Sequence, residues 1–226
     1  MSSLEGKDSL ELLHARWVLG GMGPDELVQL AVSALQREYD GTALRQLAGL
    51  SAPTSRELGT LPARAFADMG IKPIGKDAAA SILLDRGELA TSSVISALRH
   101  AFPAFSDRLR EHVVKWHGVS GPYTAMSQLV HLVVEDLYEK GALDETRRVF
   151  AVLEQLLLGA DQEARNLIGL GFFETLQNVA SWRPGGNKVY EQFFGPISRR
   201  IWSELQTMWA GKSSLMDVIR AEQRNK

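Results

Sequence analysis

From Tyr123 to Trp182 apolar residues recur at helical spacing through three successive stretches, QLVHLVVEDLYEKG, LDETRRVFAVLEQLLLG and ADQEARNLIGLGFFETLQNVASW. In the first, Met126, Leu129, Val130, Val133, Val134 and Leu137 fall within roughly a third of a helix circumference, and Gln128, His131, Glu135 and Glu139 fall opposite. The same spacing leaves Leu132 exposed, which permits a dimer without requiring one. Asp144 and Asp161 stand where N-caps belong for the next two helices, and Gly141 and Gly159 where helices stop. Helix starts recur about every 18 residues, so two helices make a unit somewhat under the ~40–47 residues of HEAT-type repeats.

The remainder of the chain follows the same grammar. Leu10, Leu13, His14, Trp17 and Val18 share one helix face, and His14 is expected half-buried beside Trp17. The run Gly20-Gly21-Met22-Gly23 ends that helix. Pro24 opens the next, with Asp25 and Glu26 at its positive end and Leu27, Leu30, Ala31, Ala34 and Leu35 as its buried stripe. A short helix carries Leu44, Leu47 and Ala48, and Thr54 with Glu57 matches a capping box. Pro62 marks either a helix start or a kink. Helices are expected over 77–86 and 91–101 as a hairpin around Gly87, and over 106–116. The Gly118–Pro122 loop is the best domain boundary, dividing an N-terminal helical region, 1–120, from a C-terminal helical array, 121–226, packed together as one unit. Past the loop Arg183-Pro184-Gly185-Gly186-Asn187, a short aromatic segment spans 189–194, Pro196 opens a helix bearing Ile197, Ile201, Leu205, Met208 and Trp209, and a last helix spans 214–223. Nothing alternates with a period of two. The expected fold is all-α, a helical bundle with a short HEAT-like or solenoid-like array in its C-terminal half.

Composition changes this picture little. The 226 residues carry 45% hydrophobic and 23% charged side chains, as in an ordinary globular protein. No apolar run approaches the ~20 residues of a membrane span, residues 1–10 lack an export signal core, and the lack of cysteine excludes disulfides and thiol catalysis. A cytoplasmic protein is expected, with no membrane partner. Charge is uneven. Between Pro122 and Trp182 nine acids face four bases, whereas from Arg183 onward eight bases face four acids. An acidic central block does not attract nucleic acid and favours a basic protein partner.

Candidate chemistry is sparse. The Gly20–Gly23 run follows a helix rather than a strand and lacks the closing Lys-Ser/Thr of a phosphate loop. Gly211-Lys212-Ser213 supplies that ending, but Gln206 occupies the place of the first glycine. Gly118-Val119-Ser120-Gly121 lacks the spacing of a nucleophile elbow. His131, Glu135 and Glu139 share a face without obvious facing partners, and His112 and His117 diverge, so no metal site is expected. Trp182, Tyr190, Phe193, Phe194, Trp202 and Trp209 interleave with Arg183, Lys188, Arg199 and Arg200, and read foremost as a core closing the array, then as a partner surface, and last as a single-stranded nucleic-acid site. No catalytic residue and no cofactor is expected.

Three phrases carry a resemblance: Val149-Phe150 through Glu154, Glu163 through Ile168, and Gly171-Phe172-Phe173-Glu174 through Asn178. Together with the spacing over Leu129–Asn178 they resemble small helical immunity proteins of bacterial polymorphic or contact-dependent toxin systems. The resemblance implies a non-enzymatic protein that binds and neutralises a toxin domain; a helical adaptor without a toxin partner is the alternative. The contact surface is expected on Glu135, Glu139, Asp144 and Glu145, with Glu174 at a helix end, where acidic charge would cover a basic active site. Oligomeric state is left open.

Overall fold

Apolar spacing, capping residues and glycine stops set the helix boundaries along most of the chain. The computed structural model describes residues 7–87, 89, 92–116 and 121–209, and no strand occurs among them. The fold is all-α. Contacts divide the chain into two compact units, 1–89 with 110–120, and 90–109 with 121–226. A boundary at the 118–122 loop assigns 90–109 to the N-terminal region; the contacts group that stretch with 121–226 instead, because the helix Ser93–Ala101 packs against the helix Pro122–His131. Residues 118–120 and the segment 214–223 lie outside the described residues.

In the first unit, α1 (Lys7–Val18), α2 (Pro24–Gln36), α3 (Thr42–Ala48), α4 (Ser55–Leu58), α5 (Leu61–Asp68) and α6 (Lys76–Asp85) follow in order. Gly20, at φ +76°, ends the turn after α1. Pro24 sits in the first turn of α2, where Glu26 accepts the Gly23 N–H at 2.8 Å. Thr54 and Glu57 form the expected capping box, with Thr54 N donating to Glu57 at 2.7 Å and Glu57 N to Thr54 Oγ1 at 3.3 Å. Pro62 lies in the first turn of α5, so it starts a helix rather than kinking one. Leu27, Leu30, Ala31, Leu44, Leu47, Ala65 and Phe66 build the core, where α3 packs on α2 and α5, while α6 packs on α1. His14 is fully buried, deeper than expected, because Trp17 and Phe66 both lie over its ring.

A distant carboxylate supplies the cap that α3 lacks locally. Asp68, at the end of α5, accepts from Ala43 N at 2.9 Å and Leu44 N at 3.1 Å. The N-cap is Gly41, and a Cβ there would stand 2.1 Å from Asp68 Cγ. Glycine is required so that the carboxylate can reach the helix end.

The second unit contains α7 (Ser93–Ala101), the start of α8 (Pro103–Lys115), α9 (Pro122–His131), α10 (Leu143–Leu158), α11 (Gln162–Asn166), α12 (Thr175–Ser181) and α13 (196–209). Two stretches wind as π-helix. Leu132–Tyr138 continues α9, and Leu167–Glu174 joins α11 to α12. The three expected helices are therefore present, each continuous across its π stretch. A 3₁₀ turn, Asn187–Phe193, precedes α13.

The π winding corrects two expectations. Bonding from i to i+5 adds residues to each turn, so the apolar stripe drifts: Leu137 is only half-buried. Leu132 is 4% exposed rather than free, since its segment is flanked by both α10 and α12. Asp144 is also not an N-cap. α10 begins at Leu143 after Ala142, which lies too early for the Asp144 carboxylate to cap it. Asp161 does cap α11, accepting from Ala164 N at 2.8 Å.

Phe150 centres the core of this unit, with ring centroids of Phe172, Phe193 and Phe194 at 5.6, 5.7 and 5.4 Å. Trp202 packs on Phe194 and donates its indole N–H to Glu191 at 3.1 Å. Burial, with Tyr138 and Glu139 nearby, pushes the Tyr190 hydroxyl up to about 12. The core reading of the C-terminal aromatics holds for Tyr190, Phe193, Phe194 and Trp202, all buried. It does not hold for Trp182, which is 89% exposed because it ends α12 on the turn beyond the packed face.

Candidate functional site

The C-terminal end of the Leu132–Tyr138 segment meets the Trp182–Asn187 turn and α8 in a cluster of charges. Glu135 is its centre. Its carboxylate accepts from Arg108 at 2.8 Å and from Arg183 at 3.0 Å, and His131 Nδ1 stands 3.0 Å away. Arg183 also reaches Glu139 at 3.2 Å. Arg108 pairs in addition with Asp136, which accepts from Lys140 at 2.7 Å. Partial burial alone would raise the Glu135 carboxyl, but the bonds and charges of His131 and Arg108 outweigh it and hold the group below its ordinary value. Asp136 is likewise held low, first by its bond from Lys140 and then by Arg108, against the pull of burial.

The face bearing His131, Glu135 and Glu139 is thus not a bare solvated stripe. α8 and the Trp182–Asn187 turn approach it and supply Arg108 and Arg183, whose separation in sequence from Glu135 leaves no local spacing to read. Of the five expected contact residues, Glu135 and Glu139 are brought together through Arg183. Asp144 and Glu145 occupy the first turn of α10, paired with Arg147 at 2.7 Å and Arg148 at 3.4 Å. Arg148 also donates to the Ala101 carbonyl at 3.2 Å and stands 5.1 Å over the Phe102 ring. Glu174 is half-buried where the second π stretch passes into α12.

Sequence reasoning put Trp182, with Arg183, in a core first and on a partner surface only second, and it did not single out Arg108, Asp136 or Arg183 as members of a charge cluster. One signal was available for Trp182: it precedes Arg-Pro-Gly-Gly, a turn that carries it off the helix face. The turn is fixed locally by Arg183 N donating to Ala180 O at 3.0 Å and Gly186 N to Arg183 O at 2.9 Å. Glycines at 185 and 186 adopt φ +82° and +62°. The indole is therefore presented on a short, tethered turn, with the neighbouring Arg183 anchored to two carboxylates.

The glycine run after α1 is a helix stop, with Gly20 N bonded to Trp17 O at 2.8 Å and Gly21 N to Arg16 O at 2.8 Å. Gly118-Val119-Ser120, His117 and Gly211-Lys212-Ser213 lie outside the described residues. Among the described residues no group of three or more His, Cys, Asp or Glu is placed to hold a metal ion, and no helix is long and apolar enough to cross a membrane.

No curated protein and no solved structure matches the chain. A family model described as a domain of unknown function, DUF7674, matches residues 95–210. That is more than half of the chain, running from α7 to the end of α13, and the protein belongs to this family.

Proposed function

We infer that the chain is a non-enzymatic protein-binding module, and that its partner is a toxin domain which it neutralises. The observation that carries the binding reading is Trp182, 89% exposed on a turn tethered by Arg183 to Glu135 and Glu139. A tryptophan has few rotatable bonds and a large apolar area, and is a frequent anchor of protein interfaces. The toxin as partner rests on the immunity-protein resemblance alone.

The structure changes how such a surface would work. Glu135, Asp136 and Glu139 face Arg108, Lys140 and Arg183, so this cluster contributes little net negative charge. Acidic cover of a basic active site therefore carries less of the reading than the indole does. The paired charges, joined to the turn through Arg183, would supply polar contacts beside it.

Affinity capture of the tagged protein from its own cells, beside a Trp182→Ala variant, tests this. Expected is one stoichiometric partner whose toxic activity the wild-type chain suppresses. Trp182→Ala should weaken that complex about thirtyfold, the factor equivalent to a hot-spot loss of ~2 kcal/mol, with folding unchanged. Equal capture by both proteins would remove Trp182 from the interface. Recovery of a non-toxic assembly would replace neutralisation with an adaptor role.

A further inference from the structure

The first unit holds a cleft that binding through Trp182 does not use. A cavity of about 530 Å³ opens beside α1 and the Ile71–Lys76 connection, and a neighbouring one of about 340 Å³ shares His14, Ile71 and Ile74 with it. Both lie in the size range of small-molecule sites. His14 forms the wall common to the two. It is 3% exposed, and its ring is 4.7 Å from that of Phe66 and 5.6 Å from that of Trp17. An imidazole at a cavity wall has a donor and an acceptor to offer an occupant. Burial lowers its pKa, so the ring is neutral at physiological pH and retains both.

The larger cleft has the walls and the charge for one class of ligand. Trp17, Ile71 and Ile74 supply flat and branched apolar surface. Among the described residues lining it, Lys76 alone carries a formal charge. Lys76 is also the first residue of α6, and its ammonium favours an anion at that end of the cleft. Asp77, in the same turn, is exposed and does not line it.

We propose that the cleft between His14, Trp17 and Lys76 binds a small aromatic carboxylate, its ring against Trp17 and Ile74 and its carboxylate at Lys76. His14 supplies a hydrogen bond at the buried end.

Calorimetric titration of the full chain with benzoate and indole-3-acetate, and with indole-3-acetamide as the uncharged counterpart, tests the assignment. Saturable one-to-one binding of a carboxylate is expected, with a dissociation constant on the order of micromolar to millimolar. Lys76→Gln removes an exposed charge without disturbing the core. It should weaken the carboxylate roughly three- to fivefold, about the value of an exposed ion pair, and leave the amide unaffected. His14→Phe, which keeps the ring stack but removes both nitrogens, should weaken both ligands. Absence of saturable binding by either carboxylate at millimolar concentration overturns the proposal. So does binding that neither substitution changes, or equal affinity for acid and amide. Partner capture through Trp182 is independent of all these outcomes.

Discussion

Glu154 is a carboxylate from the middle of α10 that does the work of an N-cap for α13. Its oxygens accept from Ile197 N at 2.7 Å, from Ser198 N at 3.0 Å and from the Ser198 hydroxyl at 2.5 Å. Glu154→Ala removes all three acceptors. Losing an N-cap costs about 0.5–2 kcal/mol. Ser198 is fully buried, so its hydroxyl is left without this partner, at a further cost of about 1–3 kcal/mol. Release of the glutamate side chain and relief of its desolvation offset part of this, leaving roughly 2–4 kcal/mol. At about 2–4 °C per kcal/mol for a chain of this size, the melting temperature should fall by about 4–16 °C.

Thermal unfolding followed by far-ultraviolet circular dichroism, with urea titration as a second measure, reads this directly. Glu154→Ala with Ser198→Ala should destabilise less than the sum of the single changes, since the second removes the stranded hydroxyl. The pH dependence has a definite sign. Partial burial would raise the Glu154 carboxyl, but the Ser198 hydroxyl and the Ile197 and Ser198 N–H groups hold it below its ordinary value. Its contribution is therefore present above the ordinary glutamate pKa and lost as pH falls through the depressed one. Wild type and Glu154→Ala should converge in that acid range. A loss under about 0.5 kcal/mol at neutral pH, or a gap that does not narrow in acid, would refute the capping role.

Four further outcomes follow from the same geometry. Gly195→Ala would place a Cβ 2.4 Å from Glu154 Cδ, and Gly41→Ala one 2.1 Å from Asp68 Cγ; each should cost about 1–3 kcal/mol in urea unfolding, where an alanine at an unobstructed glycine such as Gly159 should not. Arg183→Met removes the tether to Glu135 and Glu139, and amide exchange in the Trp182–Asn187 turn should rise while global stability falls by no more than about 1–2 kcal/mol. His14 and His112 both have pKa values lowered by burial, the latter also by Lys115, so the unfolded chain takes up protons first. Stability is complete above the ordinary histidine pKa and should fall as pH drops below it, with His14→Phe reducing that slope. Trp182→Ala should leave the urea midpoint within about 0.5 kcal/mol of wild type, because the indole is almost wholly in solvent.

What could be read beforehand was local. Thr54 and Glu57, Asp161 and Ala164, and Pro24 with Glu26 act over three residues or fewer, within reach of a spacing rule. The carboxylate caps were not legible, because Asp68 and Glu154 stand 25 and 43 residues before or beyond the N–H groups they bind. The only trace was a glycine, Gly41 or Gly195, where an N-cap side chain would ordinarily sit. Arg108 and Arg183 were invisible as partners of Glu135 for the same reason, at separations of 27 and 48 residues. Charge counts placed an acidic block on the right segment but could not show that arginines from elsewhere in the unit would occupy it.

The two π stretches explain why the central helices resist a simple periodic reading. Each includes a run of consecutive nonpolar residues, Leu132-Val133-Val134 in one and Gly171-Phe172-Phe173 in the other, and every member of both is buried. Three successive α-helical positions span too wide an arc to face one neighbour. Here the first stretch lies between α10 and α12, and the second packs on α9, with a Cβ at Gly171 standing 3.1 Å from Met126 Cβ. Wider winding lets such runs be enclosed while the following residues turn more slowly about the axis. Glu135 and Asp136 follow directly on the first run, and they are the carboxylates that meet Arg108. The winding that encloses Leu132 thus also sets the phase of the charge cluster that holds Arg183, the residue after Trp182, so core packing and the proposed contact surface rest on the same local departure from the α-helix.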